Sequence, residues 1–432
     1  MTLSPTSIPP RALRPGPPPD RHQSMRPHPS TPCPAAPMVA PSPRAQPGQR
    51  LARLRTALPA LLLSALLAGA AMFAPPAAAA AIEVTDILGR QVSLPGPAQR
   101  VVLAQARHFQ VLSLLTPDPA AILAGWSDEF KTSFEPDYEA ALARFPSLAQ
   151  VPVVGRHRAD SFSVESTLAL RPDLVVMTAS FAGLAPGQAA AESPLIGRLE
   201  TAGIPVIVID FFMRPMENTI PSLRALGRAI GHEERAEAFI HFYEEHLGTV
   251  ARRLDGLADA DRPPVFVHAH AGSTDCCNSP GVGTFNEMIR YAGGHNIGAD
   301  ILKTATGKLN FEYINSRAPR VYVATGTGSR MAKGLAIGAG VDDATARASL
   351  RRVIEGNHLD ALPAVRSGNS HGIWHAFNDS PLHVVFIEAL AHWIHPDRFA
   401  DIDPAATLRA INTQFLAVPL RGTYLVNLQP RP

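Results

Sequence analysis

The sequence predicts an α/β protein whose two lobes carry parallel sheets and are joined by a long interlobe helix. Three observations predict it. Short β-branched runs alternate with helical patterns over two separate stretches, a strand-free interval lies between the stretches, and a faint internal repeat relates them.

The chain opens with residues 1–50, which hold 15 of its 42 prolines and almost no apolar periodicity. Such a stretch cannot bury a core and is read as a disordered or untranslated leader, Met38 offering a later start. Residues 51–81 follow the order of a secretory signal peptide: arginines, an apolar run from Ala57 to Phe73, then alanines, with Ala79 and Ala81 at the small-residue cleavage positions. A membrane anchor competes, since the run approaches the roughly 18 residues of a spanning helix. Pro59 and the alanine tail favour cleavage, and no cysteine stands at the cleavage point to take a lipid. The product is expected to be exported and free of a lipid anchor.

Cleavage changes the electrostatics. Taking the eight arginines and Asp20 of residues 1–81 from 39 Lys+Arg and 37 Asp+Glu leaves 31 against 36, net acidic. The electrostatic footprint of a nucleic-acid partner is gone. Cys33 goes too, leaving Cys276 and Cys277, which can pair only with each other or stay free thiols. Adjacent Cα atoms sit about 3.8 Å apart, closer than is usual for a disulfide.

The N-terminal lobe, 82–214, carries VVLA (101–104), AILAG (121–125), PVVG (152–155), DLVVMT (173–178) and PVIVID (205–210). Strands separated by helices imply crossovers and parallel pairing. The C-terminal lobe, 258–432, repeats the grammar with PVFVHAH (264–270), RVYVAT (320–325) and HGIWHA (371–376). Between them, 215–257 is a helical linker without a strand candidate. Phe239, Ile240, Tyr243, Leu247, Val250 and Leu254 fall at helical spacing, and Gly227 and Gly231 are expected to break the region in two. The repeat aligns SVESTLALRPDLVVMT (163–178) with NFEYINSRAPRVYVAT (310–325), matching Glu165 with Glu312 and Pro172 with Pro319.

VTDILGRQVSLPGPAQRVV (84–102), LALRPDLVV, TAGIPVIVID, LGRAIGHEERAEAF and YAGGHNIGADI occur in an order that resembles the periplasmic substrate-binding proteins of iron-siderophore, haem and cobalamin ABC importers. The resemblance spans the mature chain and implies a monomer that holds its ligand between two lobes, delivers it to a membrane permease and catalyses nothing. It also implies that Glu165 and Glu312 dock on arginines of the permease. An ordinary acid in a helix's first turn is the plainer reading of each. Glu287 competes in the second lobe, but Thr284 stands placed to form a capping box with it.

Ligands of parallel α/β lobes collect at strand carboxyl ends. The loops there offer Arg107, His108, Trp126, Arg156, Arg158, Phe181 and Phe212 in the first lobe, and His270, Arg330, Trp374, His375 and Phe377 in the second. Guanidinium groups suit bulky anionic chelates, so a ferric siderophore is the expected cargo, with cobalamin or haem as the alternative. HAHAGSTDCCNSPGVGT (268–284) runs from a strand into such a loop, alternation placing His268 and His270 on one side. Adjacent cysteines without a second pair fit a structural zinc site badly. No cofactor or resident metal is expected. An exported metal-dependent hydrolase using His268, His270 and a cysteine is the rival class, but HExxH and paired-carboxylate motifs are missing.

Overall fold

The structure, a computed structural model, describes residues 81–156, 158–185, 187–274, 276–329 and 333–428. The leader and the signal segment through residue 80 lie outside the described residues, as does Arg330. Among the described residues no helix is long and apolar enough to cross a membrane.

An antiparallel pair, β1 (Ile82–Thr85) and β2 (Gln91–Leu94), precedes the first large sheet. That sheet contains β3 (Val101–Leu103), β4 (Leu123–Ser127), β5 (Val153–Gly155), β6 (Leu174–Thr178) and β7 (Val206–Ile209) in the order β5-β4-β3-β6-β7, every neighbour parallel. LVVMT and VIVI are buried at every position. A parallel sheet covered on both faces has no polar side, so its strands read as unbroken apolar runs.

The second half supplies β8 (Pro264–His268), β9 (Asn278–Pro280), β10 (His295–Asn296), β11 (Thr306–Lys308), β12 (Val321–Gly326), β13 (Gly338–Ala339), β14 (Ser370–Trp374), β15 (Gly422–Thr423) and β16 (Leu425–Leu428). The second large sheet runs β10-β8-β12-β14-β16, with only β16 antiparallel. The pairs β9/β11 and β13/β15 are small antiparallel additions.

Two helices fill the strand-free interval, Pro215–Ala229 and Glu233–Arg253. The break falls at Gly231, whose φ of +72° suits glycine. Gly227 breaks nothing. It sits inside the first helix, where an added Cβ would meet the Ala236 Cβ at 2.4 Å, so its smallness lets the two helices approach. The second helix buries Phe239, Ile240, Tyr243, Leu247 and Val250. It ties both halves together: Arg235 Nε donates to Leu114 O at 2.7 Å, while Tyr243 Oη and His383 Nε2 lie 2.6 Å apart.

The sequence repeat is a structural repeat. Ser163 and Asn310 each cap a short helix, Val164–Ala169 and Phe311–Arg317, by accepting a backbone N–H with the side chain. Each helix carries its glutamate, Glu165 or Glu312, in the first turn, and both acids are exposed. Arg171 and Ala318 then occupy the left-handed region, at φ of 46° and 45°. Pro172 and Pro319 follow, and the chain enters an interior strand of its sheet, β6 or β12.

Candidate ligand-binding site

The carboxyl ends of the parallel strands in both sheets meet at a seam, and the loop after β3 crosses it. Arg107 donates through Nη2 to Glu129 of the same lobe and through Nη1 to Asp379 of the other, the latter at 2.9 Å. Both carboxylates are buried. Burial would lower the Arg107 pKa, but Asp379 and Glu129 outweigh it and raise it further, so the guanidinium stays charged. Burial would likewise raise the Asp379 carboxyl. The contact with His108 and the charge of Arg107 hold it below the usual carboxylate range instead. His108 Nε2 stands 3.6 Å from Asp379 Oδ1, which makes this an electrostatic contact rather than a hydrogen bond.

On the second lobe the rings of His270 and His375 lie 3.6 Å apart. Thr325 Oγ1 accepts from the His270 N–H at 2.9 Å and sits 2.7 Å from His375 Nδ1. Lost hydration and the nearby Arg107 charge lower the pKa of both imidazoles, His375 well below its ordinary value, and His375 also feels His270. A cation near two neutral rings therefore marks the seam.

Two further contacts close it. Ser329 Oγ donates to Glu135 Oε1 at 2.9 Å. The Met216 N–H donates to Glu287 Oε2 at 3.3 Å. Glu287 thus reaches across to the first turn of the Pro215–Ala229 helix instead of forming a box with Thr284, because Gly283, with φ of +78°, is the N-cap there. Anions are favoured at a helix N-terminus.

A cavity of about 270 Å³ lies between Phe109, Phe130 and Asp137 of the first lobe and Leu420, Arg421 and Tyr424 of the second. Burial, with a smaller push from Glu135, raises the Asp137 carboxyl to about 7. A second cavity, about 400 Å³, sits at the ends of β6 and β7 beside Ser180, Asp210 and Arg214. Bulky ligands ask for roughly 300–1,000 Å³, a range that the first cavity falls short of and the second enters.

Of the residues expected at the cleft, the fold brings together Arg107, His108, His270 and His375. Trp126 packs edge-on against Phe109 and Phe130, Phe181 against Phe162, and Trp374 against Phe377, all of them buried. Phe212 is half-buried. Arg156 and Arg158 are exposed, Arg158 pairing with Asp160 at 3.2 Å. His268 and His270 do not share an environment. β8 stops at His268, and His270, at φ of +50°, turns into the seam while His268 stays buried beside Tyr322. Burial lowers the His268 pKa to about 4. Cys276 and Cys277, at the start of β9, are joined to one another. Glu129, Asp379, Asp137 and Tyr424 escaped sequence reasoning, although Glu129 and Asp379 stand just beyond β4 and β14, where a search of strand-end loops for acids would have met them.

Against known proteins, residues 112–370 match the family model described as periplasmic binding protein. Curated proteins yield no match. Among solved structures, the TroA-like periplasmic binding protein FepB from Veillonella parvula is 25% identical, with a TM-score of 0.73 over 81% of this chain and 100% of that one. A periplasmic solute binding protein from the same organism is 18% identical, with a TM-score of 0.58 over 78% of this chain and 93% of that one. The molybdate periplasmic binding protein MolA from Haemophilus influenzae, solved with molybdate, is 16% identical, with a TM-score of 0.58 over 77% and 97%. At the lower identities the likeness is one of fold.

Proposed function

Because the chain belongs to the periplasmic binding protein family, we propose that it captures a ferric siderophore at the lobe seam and delivers it to the membrane permease of an ABC importer. Members of the family are solute-binding proteins, and the family's compartment is the periplasm. The observation that carries the cargo reading is Arg107, a permanent cation that spans the seam and whose outer partner, Asp379, belongs to the opposite lobe. When the lobes part, a chelate oxygen of hydroxamate, catecholate or carboxylate type replaces Asp379 as acceptor. Planar guanidinium groups favour such oxygens. Exposed Arg156 and Arg158 add cationic character near the end of β5. Exposed Glu165 and Glu312, equivalent in the two lobes, suit a permease that presents paired basic sites.

The test is a titration of the secreted chain with ferric hydroxamates, catecholates and carboxylates, and with haem and cobalamin, followed by tryptophan fluorescence and calorimetry. Trp126 lies in β4 and Trp374 closes β14, one on each side of the seam. Saturable binding of a ferric complex at about micromolar Kd or tighter is expected. Binding of haem or cobalamin with no response to any ferric chelate would overturn the cargo, and silence toward all of them would overturn the capture role.

A further inference from the structure

A second site lies inside the C-terminal lobe, apart from the Arg107 bridge. β8 ends at His268, and the chain returns past it at Cys276 and Cys277 as it enters β9. One ring nitrogen of His268 and both sulfurs lie within 4.8 Å of one another. His268 is fully buried. Its Nδ1 stands 3.2 Å from Tyr322 Oη, while its Nε2 has no hydrogen-bond partner among the described residues. A buried polar atom left without a partner costs desolvation with no return. In metal sites one ring nitrogen binds the ion while a second group holds the other, the position Tyr322 occupies here. Cys277 is buried and Cys276 half-buried, so the sulfur pair lies between the imidazole and the surface only on the Cys276 side.

We propose that, with the cysteines in the dithiol form, His268, Cys276 and Cys277 make a three-ligand site for a thiophilic d10 cation such as Zn²⁺. In the structure the two sulfurs are joined. A small dithiol opens them, passing two electrons and two protons to the pair and leaving as its own disulfide. Zn²⁺ then takes both thiolates and one imidazole nitrogen, and the two thiol protons go to solvent. Thiolate and imidazole together suit d10 ions, and three protein ligands leave one position open to water, unlike a closed structural site. Adjacent cysteines lack the second pair such a closed site needs. The fold supplies His268 in its place.

The secreted chain is reduced anaerobically with a phosphine, desalted, and titrated with Zn²⁺ in competition with a chromophoric chelator. A parallel titration with Cd²⁺ follows the sulfur-to-metal absorption. One ion per reduced chain is expected, with about two protons released and no binding by the oxidised chain. Cys276→Ser should abolish the site, and His268→Gln should weaken Zn²⁺ by at least about tenfold. Since His268 is buried, X-ray absorption on the zinc form of the unaltered chain counts ligands independently, two sulfurs and one imidazole being expected. Binding no tighter than that of Cys276→Ser, or a spectrum with sulfur but no imidazole, would overturn the proposal. The siderophore titration is indifferent to either result, so the two readings stand or fall separately.

Discussion

Asp137 ought to make the closed seam weaker as pH rises, and Asp137→Asn ought to remove that weakness. The carboxyl sits 5% exposed in the seam cavity, where Tyr424 Oη is buried without a partner among the described residues. Burial, aided by the charge of Glu135, raises its pKa from 3.8 to about 7. Below pH 4 the folded and unfolded chains both hold the proton, and the group costs nothing. Between pH 4 and 7 the unfolded chain releases it while the folded chain keeps it, so stability falls by about 1.4 kcal/mol per pH unit. Above pH 7 both states are ionised and the full cost remains, up to about 4 kcal/mol for a rise of some three units. Asparagine keeps the shape of the protonated acid without the charge. Urea unfolding of the unaltered chain and of Asp137→Asn at pH 4, 5.5, 7 and 8 should show a gain of under about 1 kcal/mol at pH 4 and one approaching the full figure at pH 8. An equal gain at both ends, or a loss at pH 8, would refute the argument, because neither outcome follows from a buried ionisation.

Arg107→Ala leaves Glu129 and Asp379 buried without their cation, and urea unfolding at pH 7 should register a loss of about 3–5 kcal/mol. Asp379 is held below its ordinary pKa, so its pairing stabilises above about pH 4 and fades as acid protonates it; the loss should shrink in acid. Charge reversal at both proposed docking acids, Glu165→Lys with Glu312→Lys, should leave cargo affinity unchanged while cutting uptake through the permease by at least about tenfold, measured with radiolabelled iron in reconstituted vesicles. Gly227→Ala forces a Cβ to within 2.4 Å of Ala236, and thermal unfolding should show overpacking of about 1–3 kcal/mol.

Each of the eight strand expectations meets a strand of the structure, because a parallel strand covered on both faces writes its burial directly into consecutive β-branched residues. The repeat was legible for a similar reason. Caps, a left-handed residue and a proline are local devices, and local devices repeat wherever a helix must turn into an interior strand. Gly227 shows where such reading stops: a glycine that ends a helix and one that admits a neighbouring helix look alike until Ala236 is seen opposite. The strand-end loops show it again. Arg107 and Trp126 both follow or end first-lobe strands, yet one side chain enters the seam and the other the core. That choice is made by backbone turns such as the positive φ at His270, which no period of two or 3.6 encodes. The carboxylates that hold Arg107 were hidden for a further reason, since Glu129 and Asp379 belong to different lobes and only the closed fold sets them around one guanidinium.

With Arg107 as the anchor of the cargo, as proposed, binding is an exchange rather than a simple addition. A free guanidinium would gain the full attraction of an anionic chelate, whereas Arg107 must first release Asp379, so part of the gain is spent on breaking the existing pair. The opposing effects can be separated by two substitutions. Asp379→Asn weakens the competing acceptor and opens the seam, and should tighten an anionic ferric chelate. Arg107→Ala removes the common partner of both, and should loosen it. If the cargo were neutral, neither change would act through charge, and the two variants would shift affinity only as far as each alters the fraction of open molecules. Affinities of the two variants measured at low and high salt therefore distinguish exchange at Arg107 from simple opening, because only the exchange should shrink as the salt rises.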